Sequence, residues 1–374
     1  MKYYLIAGEA SGDLHASNLM KALAKEDSPA EFRYWGGDLM KAVGGKLVRH
    51  YRDLAFMGFW EVVTNIWTIA SSLSVCKKDI AAFRPDVLIL VDYSGFNLRI
   101  AKWAKSVGLT IFYYISPQIW ASRTQRVYKI KKWVDQMFVI LPFETDFYRQ
   151  FGMEVEFVGH PLLDALDNYP FDDRFAEKNH CTKPLIALLP GSRQQEVKII
   201  LKEMLPLIAR FPDFQFVIAM APALSPSFYE KLIVQEGLDT ADILLLKNQT
   251  YDLLNNAMAA LVTSGTATLE TALFEVPQVV CYKGTWLTYQ IARRIIKLPY
   301  ISLVNLIVDR PLVTELIQNQ LTTDNLEQAL ISLLEPGKIS QLKKEYRVLR
   351  GKLGKPGASV KTARLMINYL KFLE

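Results

Sequence analysis

Short runs of apolar residues alternate with longer stretches of mixed polarity along most of the chain. The first half contains such runs at residues 2–7, 32–37, 86–92, 110–115, 136–141 and 154–159. A second series follows at residues 185–190, 214–220, 243–247, 259–263 and 278–282. Apolar runs of about four to eight residues, separated by helical stretches, are typical of strands buried on both faces of a parallel sheet. The pattern predicts an α/β protein with two doubly wound, Rossmann-like domains.

A polar stretch with two prolines, residues 169–184, separates the two series of apolar runs. We therefore expect an N-terminal domain at residues 1–168 and a C-terminal domain at residues 169–339, which suits a chain of 374 residues. The tail, about residues 340–374, has a helical pattern with a break at "GKPG". This tail could pack back on the first domain.

Composition and charge narrow the classes of protein and partner. Hydrophobic residues make up 51% of the chain and charged residues 22%, which is typical of a globular protein. The three cysteines lack the spacing of a zinc site, and the first apolar run resembles a buried strand more than a signal peptide, so we expect a reducing, cytoplasmic compartment. No apolar stretch reaches the roughly 18 residues that a membrane span needs. The net charge of +6 suits nucleotides, nucleic acids or acidic lipids as partners.

Ligands of open α/β sheets bind beyond the carboxyl ends of the strands, so the residues that follow the predicted strands are site candidates. After the first strand, "GEASGD" places Gly8, Glu9, Ser11 and Asp13 at a tight turn before a helix. Glycines and a helix N-terminus favour an anion there, whereas the two carboxylates would repel a pyrophosphate. The stretch could equally be a structural turn that Ser11 or Asp13 caps.

Asp92 follows five consecutive apolar residues at the end of another predicted strand. A carboxyl group buried there would have a raised pKa, which suits it to proton abstraction. Asp92 could therefore be a general base, or it could be a helix cap at the strand terminus.

Two turns in the second half have the features of phosphate sites, since each connects a predicted strand to a predicted helix. The residues concerned are Gly191, Ser192 and Arg193 in "LLPGSR", and Ser264, Gly265 and Thr266 in "LVTSGTATLE". Glu270 follows one turn into the second helix, where a carboxylate could bind two ribose hydroxyls. Either turn alone could be structural, but the two together predict a nucleoside diphosphate site. Without a GxxxxGK[ST] loop or a pair of acidic residues near these turns, we expect neither a P-loop ATPase nor a bound metal.

Residues 113–133 combine basic and aromatic side chains without any acidic residue. The basic residues are Arg123, Arg126, Lys129, Lys131 and Lys132. Such a run could be a solvated face, or it could bind a phosphorylated lipid or a nucleic acid backbone. No signature of a nucleic-acid-binding fold accompanies the run, so we expect no nucleic acid partner.

Eight stretches together carry a resemblance to a known family. In chain order they are "AGEASGD", "MGFWEVV", "PDVLILVDYSGFNL", "YYISPQIWA", "FVGHPLLD", "LLPGSR", "TSGTATLE" and "YISLVNLI". In these stretches the sequence resembles the lipid-A-disaccharide synthases, bacterial glycosyltransferases that join two acylated glucosamines. The resemblance implies a GT-B fold, in which two Rossmann-like domains face a cleft. The donor nucleotide would bind the C-terminal domain and the lipid acceptor the N-terminal domain, and no cofactor would be needed.

The reaction that the resemblance implies joins UDP-2,3-diacylglucosamine to 2,3-diacylglucosamine 1-phosphate. Its products would be UDP and the β-1,6-linked disaccharide 1-phosphate of lipid A biosynthesis in Gram-negative bacteria. The donor has the α configuration, so a single displacement would invert the anomeric centre, with one base and a stabilised leaving group. The enzyme would be peripheral on the cytoplasmic face of the inner membrane.

The resemblance also assigns roles by motif. Asp92 matches the family's essential aspartate, either as the base or as the group that orients the acceptor hydroxyl. Arg193 matches the arginine that faces the UDP phosphates, Glu270 the ribose carboxylate, and Asn305 the cleft asparagine. The remaining candidates are Gly191, Ser192, Ser264, Gly265 and Thr266 for the donor, and Gly8, Glu9, Ser11, Asp13 and Arg123 for the acceptor side.

Two positions depart from the family pattern. Many members have a second acidic residue where this chain has Gly95, and its absence favours Asp92 as the base. Other members have a proline where this chain has Val304, which weakens the assignment of the neighbouring Asn305.

Residues 54–75 form the longest apolar tract, which Glu61, Thr64 and Asn65 interrupt. Both substrates of the family carry acyl chains, so an aromatic, amphipathic segment beside the acceptor site could face the membrane or bind those chains. The candidates are Phe56, Phe59, Trp60, Ile66 and Trp67. Alternatively, these side chains pack in the core.

Two other functions stay open from the sequence, as do the role of His160 and the oligomeric state. A UDP-N-acetylglucosamine 2-epimerase-like enzyme would share the architecture but act on a soluble substrate, and a degenerate relative would bind nucleotide or lipid without turnover. His160 could assist proton transfer or be a structural histidine. The sequence leaves open whether the chain forms a homodimer. A dehydrogenase is not expected, because neither domain has the dinucleotide fingerprint.

Overall fold

The computed structural model describes residues 1–53, 66–122, 124–167, 169–284 and 298–373. These residues form two compact units. The first unit comprises Met1–Asn168 together with Leu353–Glu374, and the second comprises Tyr169–Lys352. Each unit is built on a single parallel sheet, so the prediction of two doubly wound α/β domains is confirmed.

The sheet of the first unit has seven strands in the order β3-β2-β1-β4-β5-β6-β7. The strands are β1 (Lys2–Ala7), β2 (Glu31–Gly36), β3 (Lys46–His50), β4 (Val87–Val91), β5 (Thr110–Tyr114), β6 (Gln136–Val139) and β7 (Glu156–Phe157). All neighbouring pairs are parallel. The strand order reverses between β1 and β4, where Ala7 lies beside Val91. This reversal is the position at which doubly wound sheets bind ligands.

Helices cover the sheet of the first unit. In chain order they are α1 (Ala10–Glu26), α2 (Asp38–Val43), α3 (Ile66–Phe83), α4 (Ser94–Ser106), α5 (Arg126–Trp133), α6 (Pro142–Arg149) and α7 (Leu162–Asp167). The five residues of β4 are all buried, because helices pack on both faces of this central strand. The strand therefore holds the residues that follow it at a fixed position.

The sheet of the second unit has six strands in the order β10-β9-β8-β11-β12-β13. They are β8 (Leu185–Leu189), β9 (Gln215–Met220), β10 (Leu244–Lys247), β11 (Ala257–Thr263), β12 (Gln278–Tyr282) and β13 (Thr314–Ile317). All neighbouring pairs are again parallel. The order reverses between β8 and β11, where Leu189 lies beside Val262.

Helices also flank the sheet of the second unit. They are α8 (Phe175–Lys178), α9 (Gln194–Met204), α10 (Leu207–Arg210), α11 (Pro226–Gln235), α12 (Thr250–Asn256), α13 (Thr266–Leu273), α14 (Leu303–Val308), α15 (Thr323–Leu333) and α16 (Pro336–Lys352). Helix α9 follows β8 and helix α13 follows β11. The N-termini of α9 and α13 consequently start at the edge of the sheet where the strand order reverses.

The C-terminal tail divides between the two units. Helix α16 buries Leu342, Tyr346 and Leu349 within the second unit, and the chain enters the first unit only at Leu353. Helix α17 (Ala358–Leu373) then packs against α1. The expectation that the tail would leave the second domain near residue 340 was therefore wrong by one helix. The apolar face of α16 is the physical reason, since it is covered by α13, α14 and α15 of the second unit.

Two strands were not predicted from the sequence, β3 and β13. Both lie at sheet edges, and their residues are half-buried or exposed. Edge strands need no continuous apolar run, because one side of the strand has no neighbour. A search for buried runs misses such strands for that reason.

Candidate functional site

The turn after β4 holds Asp92 in an unusual backbone conformation. Asp92 and Tyr93 both have left-handed backbones, with φ of 43° and 45°, which side chains other than glycine rarely adopt. Three hydrogen bonds hold this turn. The side-chain amide of Asn97 donates to the Asp92 carbonyl at 2.8 Å, the Tyr113 hydroxyl donates to the same carbonyl, and the Asp92 amide donates to the Tyr114 carbonyl at 3.3 Å. Backbone strain that neighbours hold in place in this way is typical of functional sites.

The surroundings of Asp92 change its acidity. Burial and, to a smaller extent, the nearby charge of Glu9 raise the pKa of the Asp92 carboxyl group to about 6, while a backbone hydrogen bond from Tyr93 opposes the change. The carboxylate is thus a stronger base than that of an ordinary aspartate, yet it is still mostly ionised at neutral pH. The raised pKa therefore suits Asp92 to proton abstraction better than to an ion pair.

The turn after β1 lies next to this site, because β1 and β4 are neighbours. A Cβ atom on Gly8 would lie 2.3 Å from the Tyr93 ring, so only glycine allows the ring to pack there. Glu9 and Ser11 are exposed at the start of α1. The charge of Glu9, an acceptor-side candidate, thus reaches Asp92.

Asp13, another acceptor-side candidate, has structural contacts within the first unit. Its carboxylate is 2% exposed and accepts hydrogen bonds from the amides of Gly37 at 2.7 Å, Leu39 at 3.0 Å and Met40 at 3.1 Å. These amides lie at the N-terminus of α2, so Asp13 caps that helix and not its own helix. Its oxygens are committed to these amides and are shielded from substrate.

In the second unit, the turns after β8 and β11 line one cavity of about 500 Å³. The candidates that line it are Gly191, Ser192, Arg193, Ser264, Gly265, Thr266 and Glu270. Gly191 has a φ of 126°, and a Cβ atom there would meet the Glu196 carboxylate at 2.4 Å, so this position requires glycine. The two turns that the sequence predicted as phosphate sites are therefore brought together in one cavity.

The side chains of the second-unit cavity differ in what they already bind. The Glu270 carboxylate accepts a hydrogen bond of 2.9 Å from the Tyr251 hydroxyl, and burial raises its pKa despite this bond. The Ser264 hydroxyl donates to the Ile301 carbonyl at 2.9 Å. Arg193 and Thr266 are exposed at the N-termini of α9 and α13. The cavity thus offers a cation, amides at two helix N-termini and a carboxylate, which are the groups that a nucleotide needs.

Sequence reasoning missed Glu196, which lies inside the same cavity. Its Oε2 accepts a hydrogen bond of 3.1 Å from the Ser192 amide. The Ser192 amide, which a phosphate would use as a hydrogen-bond donor, is therefore already bonded to the Glu196 carboxylate. The position of Glu196 in the first turn of α9 could have indicated this contact, because an acidic side chain at the third helical position often accepts a hydrogen bond from a backbone amide at the start of the helix.

Asn305 is not among the residues that line this cavity, and its role as a cleft residue stays a prediction. It is fully buried, and its side chain donates to the Val313 carbonyl at 2.9 Å and to Glu315 at 2.8 Å. Its oxygen accepts from the Val313 amide at 2.9 Å. Asn305 therefore joins α14 to the start of β13, and its polar atoms are already bound.

His160 is buried in the first unit. His160 is 4% exposed, accepts a hydrogen bond from the Leu162 amide at 3.2 Å, and has its pKa lowered to about 3 by burial and by the nearby His15. It is neutral at physiological pH, as a structural histidine would be.

Arg123, Phe56, Phe59 and Trp60 lie outside the described residues, as do the side chains of Ile66 and Trp67. Within the described part of the chain, no helix has the length and apolar character to cross a membrane.

Comparisons with known proteins agree with the sequence motifs. A family model described as lipid-A-disaccharide synthetase matches residues 3–363. The lipid-A-disaccharide synthase of Syntrophus aciditrophicus is 38% identical over 376 residues, covering 98% of this chain and 97% of the relative. Sequence similarity therefore extends over both units.

Solved structures resemble the fold of the chain at much lower identity. A putative UDP-N-acetylglucosamine 2-epimerase from Listeria monocytogenes has a TM-score of 0.69 at 14% identity and covers 99% of this chain and 97% of its own. The S. aureus MnaA–UDP structure has a TM-score of 0.67 at 16% identity and covers 100% of this chain and 96% of its own. At such identities the likeness shows the fold alone and does not favour the epimerase alternative. The family match over nearly the whole length shows that the chain belongs to the lipid-A-disaccharide synthase family, and it is accordingly a glycosyltransferase that forms the lipid A disaccharide.

Proposed function

We propose that the chain transfers diacylglucosamine from UDP-2,3-diacylglucosamine to the 6-hydroxyl of 2,3-diacylglucosamine 1-phosphate, with inversion at the anomeric carbon. The observation that carries this proposal is the Asp92 carboxyl group, with its pKa of about 6, in a strained turn where the strand order reverses. An inverting transfer needs one base of this kind and no covalent intermediate.

In the proposed step, the Asp92 carboxylate accepts the proton of the 6-hydroxyl while the oxygen attacks the anomeric carbon. The bond between that carbon and the UDP oxygen breaks, and its electron pair leaves with the β-phosphate. Attack from the face opposite UDP converts the α configuration into β. The alternative role of Asp92 is to orient the hydroxyl, which then loses its proton to solvent.

The second unit would hold the donor. Arg193 and the amides at the N-termini of α9 and α13 would neutralise the phosphates, which gain charge as the bond breaks. Glu270 would accept the ribose hydroxyls, and Ser192, Gly265 and Thr266 would add contacts to the phosphates. A fold relative that was solved with UDP supports a nucleotide ligand for this architecture.

The substrates also imply a membrane surface, since both carry acyl chains. We propose that the chain works as a peripheral protein on the cytoplasmic face of the inner membrane, with the tract at residues 54–75 next to the lipid. Replacing Phe59 and Trp60 by serine should weaken binding to liposomes while UDP binding is kept. Unchanged liposome binding by the folded variant would contradict this part of the proposal.

The central experiment supplies both diacylated substrates to the purified protein in neutral detergent micelles. Mass spectrometry should detect the disaccharide 1-phosphate, and the proton coupling at the new anomeric centre should identify a β linkage. An α linkage would contradict the single displacement. Formation of an epimerised UDP-sugar without disaccharide would instead support the epimerase alternative.

A further inference from the structure

A second cavity, in the first unit, has a strongly basic lining that the proposed transfer does not yet use. This basic cavity has a volume of about 310 Å³ and lies between α4 and α5. It is lined by Ser94, Gly95, Leu98, Arg99, Lys102, Arg126, Lys129 and Trp133. Of the described residues that line it, four are cations and none is a carboxylate. Such a lining costs free energy through charge repulsion unless an anion binds there.

The cations of the basic cavity belong to two packed helices and are partly fixed. Arg126 donates a hydrogen bond of 2.8 Å to the Ser94 hydroxyl, which ties the start of α5 to the start of α4. Arg99 donates to the Gly95 carbonyl at 3.1 Å. Lys102 and Lys129 make no ion pair within the part of the chain that the structure describes. Two hydrogen-bonded guanidinium groups and two exposed ammonium groups are a suitable set for a phosphate.

The basic cavity lies close to Asp92. Ser94, which lines the cavity, follows Asp92 by two residues and begins α4. Both sites affect the pKa of the buried Tyr113. Burial raises this pKa well above the ordinary value, and the charge of Asp92 raises it further, whereas the charge of Arg126 lowers it. Arg99 likewise lowers the pKa of Tyr93, which burial and Glu9 raise. The Ser94 end of the basic cavity is therefore the end that lies next to the Asp92 turn.

We propose that the basic cavity binds the phosphate group of the glycosyl acceptor, with Arg99, Lys102, Arg126 and Lys129 as its contacts. This inference rests on the proposed function, in which the acceptor carries a 1-phosphate and offers its 6-hydroxyl to Asp92. The concave shape suits a single phosphorylated sugar. Holding the phosphate would fix the orientation of the sugar ring, so that the 6-hydroxyl is the group presented to the base.

The test removes the two exposed lysines of the basic cavity without touching the fixed arginines. Lys102→Met and Lys129→Met, combined in one protein, remove two charges and keep the side-chain length. The matched control combines Lys21→Met and Lys78→Met, which removes the same charge from exposed positions outside the cavity. Isothermal titration with soluble glucosamine 1-phosphate should give at least about tenfold weaker binding for K102M/K129M, with the control unchanged. Glucosamine without phosphate should not distinguish the proteins.

Turnover provides the second readout. In neutral micelles, the KM for the phosphorylated acceptor should rise about tenfold in K102M/K129M, while the affinity for UDP stays the same. Equal glucosamine 1-phosphate affinity in all three proteins would overturn the proposal. If that affinity and KM are unchanged but binding to phosphatidylglycerol vesicles is lost, the cavity serves a membrane headgroup and the proposal is also overturned. If the wild-type protein binds glucosamine 1-phosphate through these lysines but makes no disaccharide, the phosphate site stands and the proposed transfer fails.

Discussion

Two turns in equivalent places of the two units have opposite chemistry. In the first unit, β4 lies beside β1 and is followed by Asp92. In the second unit, β11 lies beside β8 and is followed by Ser264 and Gly265. The turns after β1 and β8 repeat the contrast, with Glu9 in the first unit and Ser192 in the second. The same sheet topology thus supports two different electrostatic environments.

The difference shows how one architecture can provide two functions. Carboxylates at the strand ends of the first unit would repel a pyrophosphate, and burial together with the charge of Glu9 raises the pKa of Asp92, which suits a base. Glycine, hydroxyls and Arg193 at the strand ends of the second unit suit an anion at the helix N-termini, where Glu196 is the only carboxylate that the described structure shows bonded to an amide of these two turns. Substitutions in the turns of one unit should therefore change that unit's function and leave the other unit's function intact.

The largest effect is expected for Asp92→Asn, which keeps the shape of the first-unit turn and removes its base. The rate constant kcat should fall by about 10²- to 10⁴-fold, because general base catalysis contributes about that much. Asp146→Asn is the matched control, since Asp146 is an exposed carboxylate on α6. Quantifying disaccharide over time gives both rates. A fall of less than about tenfold in D92N would favour orientation of the hydroxyl over proton abstraction.

Arg193→Ala should give the next largest effect, on the opposite side of the contrast. Loss of a charge-assisted contact to phosphate costs about 1.5–3 kcal/mol, or roughly 10- to 150-fold in UDP affinity. The control is Lys198→Ala, which removes an exposed cation from the same helix but outside the cavity. Titration calorimetry with UDP measures both. If R193A and K198A weaken UDP binding equally, then the overall charge of the unit matters more than the turn.

The sequence predicted this contrast only in part. Buried runs such as β4 and β8 predict their own positions, and the glycine and hydroxyl pattern after β8 and β11 predicts an anion site. The hydrogen-bond partners of Asp13 and Asn305 were not predicted, because a motif does not show where a polar side chain finds its partners. Asp13 binds amides of Gly37, Leu39 and Met40, and Asn305 binds Val313 and Glu315. These contacts join segments that a linear reading keeps apart.

The basic cavity illustrates the same limit. Arg126 and Lys129 were visible as part of a charged run, but Arg99 and Lys102 belong to another helix, about 30 residues earlier in the chain. Only the packing of α4 against α5 brings the four cations together. Tertiary packing, which a linear pattern does not encode, therefore decides which members of a charged run form a site.

The pH dependence of the reaction tests the carboxylate pair of the first unit. Protonation of Asp92 removes the base, so kcat/KM should fall as the pH drops through about 6 and be constant above it. Glu9→Gln removes a charge that raises the pKa of Asp92, so the fall should move to lower pH. Glu31→Gln, an exposed carboxylate at the start of β2, should leave the profile unchanged. A profile that stays the same in E9Q would mean that burial alone sets the pKa of Asp92.

The smallest effect is expected at Glu196, the one carboxylate found at the Gly191 turn of the second unit. Its Oε2 accepts the Ser192 amide hydrogen, so an incoming phosphate has to displace it and overcome its charge. Glu196→Gln should therefore raise UDP affinity by about two- to fivefold, since exposed charge pairs contribute up to about 1 kcal/mol. Glu230→Gln, at an exposed position of α11, is the control. Weaker UDP binding in E196Q would mean that the carboxylate keeps the turn ready for the phosphate, and the contrast between the units would then rest on glycine and arginine alone.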